Sequence, residues 1–337
     1  MHVSPLVWWL TIGITTVLLL VDVVVIGRRP HEPSRREVTT ALAFFIGLAV
    51  AFGIGIFVVS GSRYGTEFFA GWLTEYSLSV DNLFIFLIIM SKFGVPRAYQ
   101  QTALLIGIVI ALVMRGIFIA LGAAAIDNFS WVFYLFGLFL VYTAVKLARE
   151  GAEDEDEYEE SALVKWVERH LPATSTWHGT KLLVRTDGWR RIITPMFIVV
   201  LALGTTDLLF ALDSIPAIYG LTDEPYLVMT ANIFALMGLR QLYFLIGGLL
   251  ERLVYLSYGL AVLLGFIGVK LILHALHENE LAFINGGHPV HWAPDIPIWL
   301  SLLVIVGTLA VTTVVSLLAS RRMDARARDE VTGPRGH

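Results

Sequence analysis

The sequence predicts an all-α polytopic membrane protein of about nine transmembrane helices that contains an inverted repeat of three plus three helices. Composition is the first observation behind this prediction, since 56% of the 337 residues are hydrophobic and only 15% are charged. A soluble domain carries about 25% charged residues. The second observation is a series of apolar windows long enough to cross hydrocarbon. The third is a short acidic pattern that occurs twice inside such windows.

Windows of about 20 apolar residues predict nine spans, numbered here from one to nine. The first span has no basic region before it and no small-residue cleavage site after it, so we expect it to be retained rather than removed as a signal peptide. The predicted spans cover residues 6–26, 38–60, 66–91, 98–126, 130–148, 194–218, 225–249, 252–275 and 297–319.

Basic residues in the connections predict the orientation of the spans. Lysine and arginine concentrate in the connections that follow odd-numbered spans, whereas the intervening connections hold only Arg63. Basic connections remain in the cytoplasm. We therefore expect a transmembrane domain over residues 1–320 with its N-terminus outside, and a cytoplasmic loop (149–193) and tail (321–337).

The cytoplasmic loop contains an acidic run from Glu153 to Glu160. Two interpretations stay open: a solvated, partly disordered linker, which is typical of like-charge runs, or a weak cytosolic collector of divalent cations. Residues 161–171 predict a short amphipathic helix on the membrane surface.

The acidic pattern consists of a threonine and an acid, five further residues, and then an aspartate followed by a polar residue. Its two copies are Thr74-Glu75 with Asp81-Asn82, and Thr206-Asp207 with Asp213-Ser214. An ionised carboxylate costs about 2.5–3.5 kcal/mol at a membrane centre even on the mildest scale. Four carboxylates at matched positions in two spans therefore indicate a polar site for a cation.

Further matches place the acidic spans in two repeats, residues 66–148 (spans three to five) and 194–275 (spans six to eight). The corresponding basic residues are Arg115 with Arg240, and Lys146 with Lys270. An odd number of spans makes the second repeat enter the membrane from the opposite side. Secondary transporters are built in this way, with their sites near the midplane between the repeats.

Helical geometry separates the two acids of each copy. Residues six apart differ by about 120° around the helix, whereas residues seven apart nearly share a face. Either the two carboxylates of one helix face different partners, or the helix unwinds between them, which Pro216 would permit. The predicted stripes are Glu75, Ser79 and Asn82; Thr74, Ser77 and Asp81; Asp207 and Ser214; and Thr206 and Asp213.

The candidate ligands carry hard oxygen donors, which suit Mg, Ca and Mn rather than Zn or Cu. Cysteine is absent, which removes thiolate metal sites and thiol catalysis. An alternative is that the acids only form buried ion pairs with Arg115 and Arg240. A mixed arrangement is also open, in which each arginine neutralises one carboxylate while the site is empty.

Other polar residues of the spans have less specific interpretations. Asn232 either reaches the site or bonds a neighbouring helix, and the two repeat lysines are typical of interface anchors. Four histidines at the predicted outside connection 276–296 are a candidate patch for metal capture or exit, although they do not share one helical face. They are His274, His277, His288 and His291.

The segments Glu75–Phe84 and Asp207–Ala217 resemble the two signature segments of the TerC family of integral membrane proteins, and the chain looks most like the bacterial Alx-type members. The resemblance covers roughly residues 5–320. It implies an exporter of divalent metal, chiefly Mn²⁺ as transported substrate without a cofactor, in a bacterial inner membrane. The family's metal-site residues fall on Glu75, Asp81, Asn82, Asp207, Asp213 and Ser214.

The leading hypothesis is therefore Mn²⁺ export by alternating access, with proton exchange as a candidate coupling. Transport of Ca²⁺ or a small organic cation is a second hypothesis, and a membrane scaffold that recruits soluble partners through the acidic loop and tail is a third. A glycine loop that could cradle phosphates is absent, so an ATP-driven pump is not expected. We expect no enzymatic activity, and a net charge of −4 without a strongly basic face gives no indication of nucleic-acid binding.

Overall fold

Ten α-helices make up most of the described part of the protein in the computed structural model. The structure describes residues 3–28, 33–129, 131–150, 161–185, 191–246, 255–277, 279, 281, 284–290, 292–294 and 296–332. The helices are α1 (Pro5–Arg28), α2 (Arg35–Ser60), α3 (Ser62–Lys92), α4 (Arg97–Asn128), α5 (Val132–Glu150), α6 (Ala162–His170), α7 (Pro195–Tyr219), α8 (Pro225–Ile246), α9 (Leu256–His277) and α10 (Ile298–Thr332).

Eight of these helices are long and apolar enough to cross a membrane within the described ranges, and α1 adds a shorter apolar stretch over Pro5–Val21. The predicted all-α architecture is thereby confirmed. Helix α10 differs from its prediction, because it continues through Thr332 and so includes much of the segment expected to be a tail. The inverted relation of the two repeats and the side of the membrane on which each end lies stay predictions.

Local signals explain how α7 begins and why it does not break. Thr194 caps its N-terminus, and Pro195 occupies the first helical position, where its missing N–H costs nothing. The helix continues through Pro216 up to Tyr219 without unwinding. Of the two geometric alternatives, the one in which the carboxylates of one helix face different partners is therefore correct for this helix.

The predicted amphipathic helix forms as α6, which Ser161 caps. Val164 and Val167 are buried in the same apolar cluster as the first turn of α7, whereas Trp166 is exposed. A two-stranded antiparallel sheet follows, with β1 (Leu183–Arg185) and β2 (Arg191–Ile193). This sheet was not predicted, because strands of three residues are too short to show a period. The acidic run 153–160 lies outside the described residues.

Helices α3, α4, α7 and α8 form the centre of the bundle. Helix α8 packs against α2, α3 and α4, and α7 packs against α3, α4 and α5. Within their apolar windows, 89% of α8 is enclosed by the protein but only 17% of α10. Since buried polar residues of a membrane protein face such an interior, the centre of the bundle is where an ionised site is expected.

Successive long helices run in alternate directions, so the connections gather at two ends of the bundle. The end that carries α6 and the small sheet is called the α6 end here. The opposite end, with the α2–α3, α4–α5, α7–α8 and α9–α10 connections, is called the far end. The positive-inside rule predicts that the α6 end is cytoplasmic.

Candidate cation site

A buried polar cluster surrounds the guanidinium group of Arg115 on α4. The Nε and Nη2 atoms donate to the two carboxylate oxygens of Asp207 on α7, both at 3.1 Å. The Nη1 atom donates to Glu75 Oε1 on α3, to Ser214 Oγ on α7 at 3.2 Å, and to Asn232 Oδ1 on α8 at 2.9 Å. Five oxygen atoms from three helices therefore converge on one positive charge. We call these five residues the Arg115 cluster.

The Arg115 cluster lies deep inside the bundle. The exposed fractions of Arg115 and Glu75 are both 0%, and that of Asp207 is 2%. Asp207 is 12 residues from either end of α7, which corresponds to about 18 Å along the axis. This depth is close to the middle of a hydrocarbon core about 30 Å thick. The cluster therefore lies near the level expected for the middle of the bilayer.

The cluster contains two carboxyl groups but only one guanidinium. With both carboxyl groups ionised, one negative charge is left without compensation inside the cluster. The second carboxylate oxygen of Glu75 and the amide nitrogen of Asn232 are buried and have no hydrogen-bond partner among the described residues. Buried polar atoms of native proteins are usually satisfied. The cluster thus offers both a charge and a free oxygen for a further positive group.

The contacts of Arg115 show which acids it pairs with. An ion pair does form, but Arg115 bonds two carboxylates, one from each acidic segment, rather than one. Asn232 reaches the cluster, which answers the open question about this residue. Arg240 is buried in α8, eight residues beyond Asn232 and so about 12 Å further toward the α6 end.

Asp213 belongs to a different environment on the other side of α7. Its Oδ1 atom accepts a hydrogen bond from Thr143 Oγ1 on α5 at 3.1 Å. Both residues line a cavity of about 230 Å³, together with Asn82 on α3 and Lys146 on α5. The six-residue spacing from Asp207 explains this separation, since it rotates the two carboxylates by about 120° around the helix.

The structure therefore places the predicted ligands in two groups rather than at one spot. Glu75, Asp207 and Ser214 belong to the Arg115 cluster, and Asn82 and Asp213 face the α5 cavity. The side chain of Asp81 lies outside the described part of the structure. Sequence reasoning missed Thr143 and assigned Lys146 to an interface, because nothing in α5 by itself indicates that these residues would face Asp213.

Several predicted supporting residues are buried along the same helices. Thr74, Ser77 and Ser79 on α3 each have a hydroxyl oxygen that makes no hydrogen bond with a described residue, and Thr206 on α7 is buried as well. The buried hydroxyl oxygen of Tyr76 likewise makes no hydrogen bond with a described residue. Buried hydroxyl groups of this kind are commonly satisfied by ordered water or a ligand.

The arrangement constrains how a metal ion would bind. Within the described residues, no three His, Asp or Glu side chains already converge closely enough to hold one. The oxygen atoms that now contact the guanidinium are suitable ligands for a hard divalent cation. Arg115 would have to withdraw from them, because its guanidinium occupies their point of convergence.

The apolar helices around a buried ionised centre define this chain as a polytopic integral membrane protein. Residues 60–324 match the family described as the integral membrane protein TerC family. The chain belongs to the TerC family of integral membrane proteins. No solved structure matches it.

Three similar membrane proteins align with 94–96% of this chain. An uncharacterised membrane protein of Mycobacterium tuberculosis (strain ATCC 25618 / H37Rv) is 50% identical over 324 residues, which are 95% of this chain and 81% of that protein. A membrane protein of Myxococcus xanthus is 37% identical over 318 residues, 94% of each chain. Alx of Salmonella typhi, whose name suggests a role as a membrane-bound redox modulator, is 34% identical over 334 residues, 96% of this chain and 98% of that protein.

Proposed function

We propose that this protein is a secondary transporter that exports a divalent cation, foremost Mn²⁺, from the cytoplasm by alternating access. One observation carries the proposal: in the Arg115 cluster, carboxylates from both acidic segments converge on a single positive charge at the middle of the bundle. In the proposal, these oxygen atoms form a cation-binding cage that a basic side chain of the protein now occupies.

The donors of the cage favour a hard divalent cation. They are carboxylate, hydroxyl and amide oxygens, the ligands that Mg²⁺, Ca²⁺ and Mn²⁺ prefer. This chemistry does not separate the three ions from one another. The choice of Mn²⁺ rests on the likeness to the TerC family, so Ca²⁺ is the main alternative substrate.

Arg115 supplies a reason why an empty transporter could change conformation. Two carboxylates without a cation would be strongly destabilising in a low-dielectric interior. When the guanidinium bonds Glu75 and Asp207, only one negative charge remains within the cluster. In the proposed cycle, the arriving metal ion displaces Arg115, and Arg115 returns when the ion leaves.

The α5 cavity is the proposed route from the α6 end. Asp213 and Asn82 line it, and Thr143 donates to Asp213. Lys146 lies near enough to act electrostatically on Asp213. In the proposal, a cation in this cavity first meets Asp213 on one side of α7 and then passes to the two carboxylates on the other side. Protons that replace the metal on these carboxylates are the proposed counter-ions.

A redox role of the kind suggested by the name of Alx does not involve thiol exchange in this chain. Thiol–disulfide exchange requires cysteine thiolates, and the sequence contains no cysteine. Under the proposed function, an effect of this protein on cellular redox balance would act through the ion that it moves. Manganese, which changes oxidation state readily, fits such an effect better than Ca²⁺ does.

The test is uptake of radiolabelled Mn²⁺ into liposomes that contain the purified full-length chain. We expect time-dependent uptake in the wild type and background uptake in Glu75→Gln. Competition by excess Ca²⁺ or Mg²⁺ then ranks the three ions. Equal uptake by wild type and empty liposomes would refute transport of Mn²⁺, and stronger competition by Ca²⁺ than by unlabelled Mn²⁺ would reassign the substrate.

A further inference from the structure

A second cavity, of about 420 Å³, opens at the far end of the bundle. Its walls are the first turns of α3, the last turns of α9 and the start of α10, and its floor is the turn that joins α7 to α8. The polar side chains that line it are Arg63, Glu67, Thr222, Asp223, Lys270, His274 and His277.

The floor of this far-end cavity is recessed into the bundle. A Cβ atom on Gly220 would lie 2.5 Å from Ile267 Cγ2 and 3.1 Å from Leu271 Cγ, so the turn is pressed against α9. Ile267 comes ten residues before the end of α9 at His277, about 15 Å along the axis. The cavity therefore extends from the far end well into the protein.

Only a thin layer separates the floor from the Arg115 cluster. Tyr219, at the floor, is five residues from Ser214 of the cluster, about 7.5 Å along α7. The Tyr219 hydroxyl donates to the Ile119 carbonyl oxygen at 2.7 Å. Ile119 lies one turn from Arg115 on α4, so a shift of α4 that moves Arg115 also moves the anchor of the floor.

Glu67 is a second buried carboxylate on the helix that carries Glu75. It is 4% exposed and eight residues away from Glu75, about 12 Å along α3. One carboxylate oxygen accepts a hydrogen bond from Arg63 Nε at 2.8 Å, and the other accepts one from Thr222 Oγ1 at 2.7 Å. A basic side chain thus compensates Glu67, as Arg115 compensates the carboxylates of the cluster.

Arg63 can withdraw from Glu67 far more easily than Arg115 can leave its cluster. The Arg63 side chain is 72% exposed, whereas the Glu67 side chain is 5% exposed. When the Arg63 guanidinium moves fully into water, no positive charge has to be buried elsewhere in the protein. One oxygen of the buried Glu67 carboxylate then becomes free. A cation that approaches through the cavity could then replace it.

The structure separates the four histidines of the predicted metal patch. His274 and His277 line the cavity and lie three residues apart on the last turn of α9, where such a spacing places two side chains on neighbouring positions. His288 is exposed on the turn that follows and does not line the cavity. His291 lies outside the described residues.

We propose that the far-end cavity is a second, weaker site for a divalent cation, with Glu67 as its carboxylate ligand and His274 and His277 as imidazole ligands. These three side chains line one cavity but do not yet converge, so the site forms only when an ion displaces Arg63 and draws them together. The inference rests on the proposed function, in which the ion leaves the Arg115 cluster toward this end. Mn²⁺ prefers the carboxylate oxygen of Glu67, and imidazole, which suits the later transition metals better, adds weaker ligands. A release site has to bind weakly enough for the ion to leave, and a carboxylate shared with Arg63 meets that requirement.

The absence of cysteine from the chain allows a direct test in the full-length protein. Ile298→Cys places a reporter thiol on the cavity wall without removing a bond to Glu67. His288→Cys places the matched control thiol at the same end but outside the cavity. A membrane-impermeant methanethiosulfonate reagent, applied with and without Mn²⁺, measures how fast each thiol reacts. The same assay is repeated with Glu67→Gln added to the reporter.

We expect Mn²⁺ to slow modification of Ile298→Cys but not of His288→Cys, and we expect Glu67→Gln to remove this protection. Mn²⁺ transport should fall by at least about tenfold in Glu67→Gln and several-fold in His277→Ala, but remain unchanged in His288→Ala. Lack of protection in a protein that transports Mn²⁺ would overturn the site alone. Protection without transport in the wild type would support the site and refute the proposed transport.

Discussion

Arg115 and Asp207 are joined by two parallel N–H···O bonds, each of 3.1 Å, between α4 and α7. This bidentate pair links the two halves of the chain at the middle of the bundle. Only arginine presents two donors in a fixed planar arrangement that matches a carboxylate. The identity of Arg115 is therefore as informative as its charge.

Replacement of Arg115 by methionine should strongly destabilise the protein and make it depend on metal. The change leaves two buried carboxylates without a cation, and we expect a loss of about 3–5 kcal/mol in the free energy of unfolding. Mn²⁺ should raise the thermal midpoint of Arg115→Met more than that of the wild type, because the ion then compensates the cage. Thermal unfolding in detergent with and without Mn²⁺ measures both effects.

Arg115→Lys is the matched variant for this prediction, since it keeps the charge but loses the planar pair of donors. Its thermal midpoint should fall between those of the wild type and Arg115→Met. If Mn²⁺ leaves the midpoint of Arg115→Met unchanged, the cage does not bind this metal.

Neutralisation of Asp207 should abolish Mn²⁺ transport. Asp207→Asn removes one of the two buried carboxylates and brings the charge of the cluster close to zero. An arriving cation then gains too little binding free energy to displace Arg115. Radiolabelled Mn²⁺ uptake should fall to background, while Glu168→Gln, on the exposed side of α6, should transport normally. Normal uptake by Asp207→Asn would remove this residue from the site.

Asp213 should affect the capture of the ion more than its passage. Its carboxylate lies at the α5 cavity rather than in the Arg115 cluster. We expect Asp213→Asn to raise the half-saturating Mn²⁺ concentration by about tenfold with a smaller change in the maximal rate. Thr143→Val should raise it less, because it removes only one hydrogen-bond donor and leaves the Asp213 carboxylate in place. A loss confined to the maximal rate would contradict the assignment of this cavity to ion entry.

The contact between α5 and α9 should tolerate no added methyl group. A Cβ atom on Gly137 would lie 2.7 Å from Ile272 Cγ1 and 2.8 Å from the Gly268 carbonyl oxygen. Because backbone atoms cannot move aside as a flexible side chain can, we expect Gly137→Ala to lower the free energy of unfolding by about 1–3 kcal/mol. Thermal unfolding should show no loss for Gly55→Ala, where a Cβ atom would meet nothing within 4 Å. Equal stability of both variants would show that the helices can separate at no cost.

Much of the architecture could be predicted from the chain alone, because lipid imposes a simple rule on each helix separately. A helix must be apolar over a fixed length to cross hydrocarbon, and the windows that end at residues 60 and 275 predict α2 and α9 within a few residues. The short sheet was not predicted, because no comparable rule of length and hydropathy applies to strands of three residues. The extension of α10 was missed because its last turns are polar, and polar residues continue a helix without any hydropathy signal.

The candidate site could be predicted only in part. The seven-residue spacing of Asp207 and Ser214 correctly placed both on one face, since that relation lies within a single helix. The partner of Asp213 could not be predicted, because Thr143 is 70 residues away in the sequence and faces Asp213 only through the packing of α5 against α7. The burial of Glu67 could not be predicted for the same reason. It depends on Thr222 and the turn between α7 and α8, which are distant from Glu67 in the sequence.

The sequence by itself determined which segments enter the membrane and which of their side chains are too costly to bury without a purpose. Both follow from the transfer of individual groups out of water, and that free energy depends on composition rather than on neighbours. Only the tertiary structure decided that Arg115 occupies the centre of the carboxylates and that Asp213 stands apart from them. Such pairings depend on the angle and depth at which separate helices pack, and distances of a few ångströms between helices are not encoded in the pattern of any one of them.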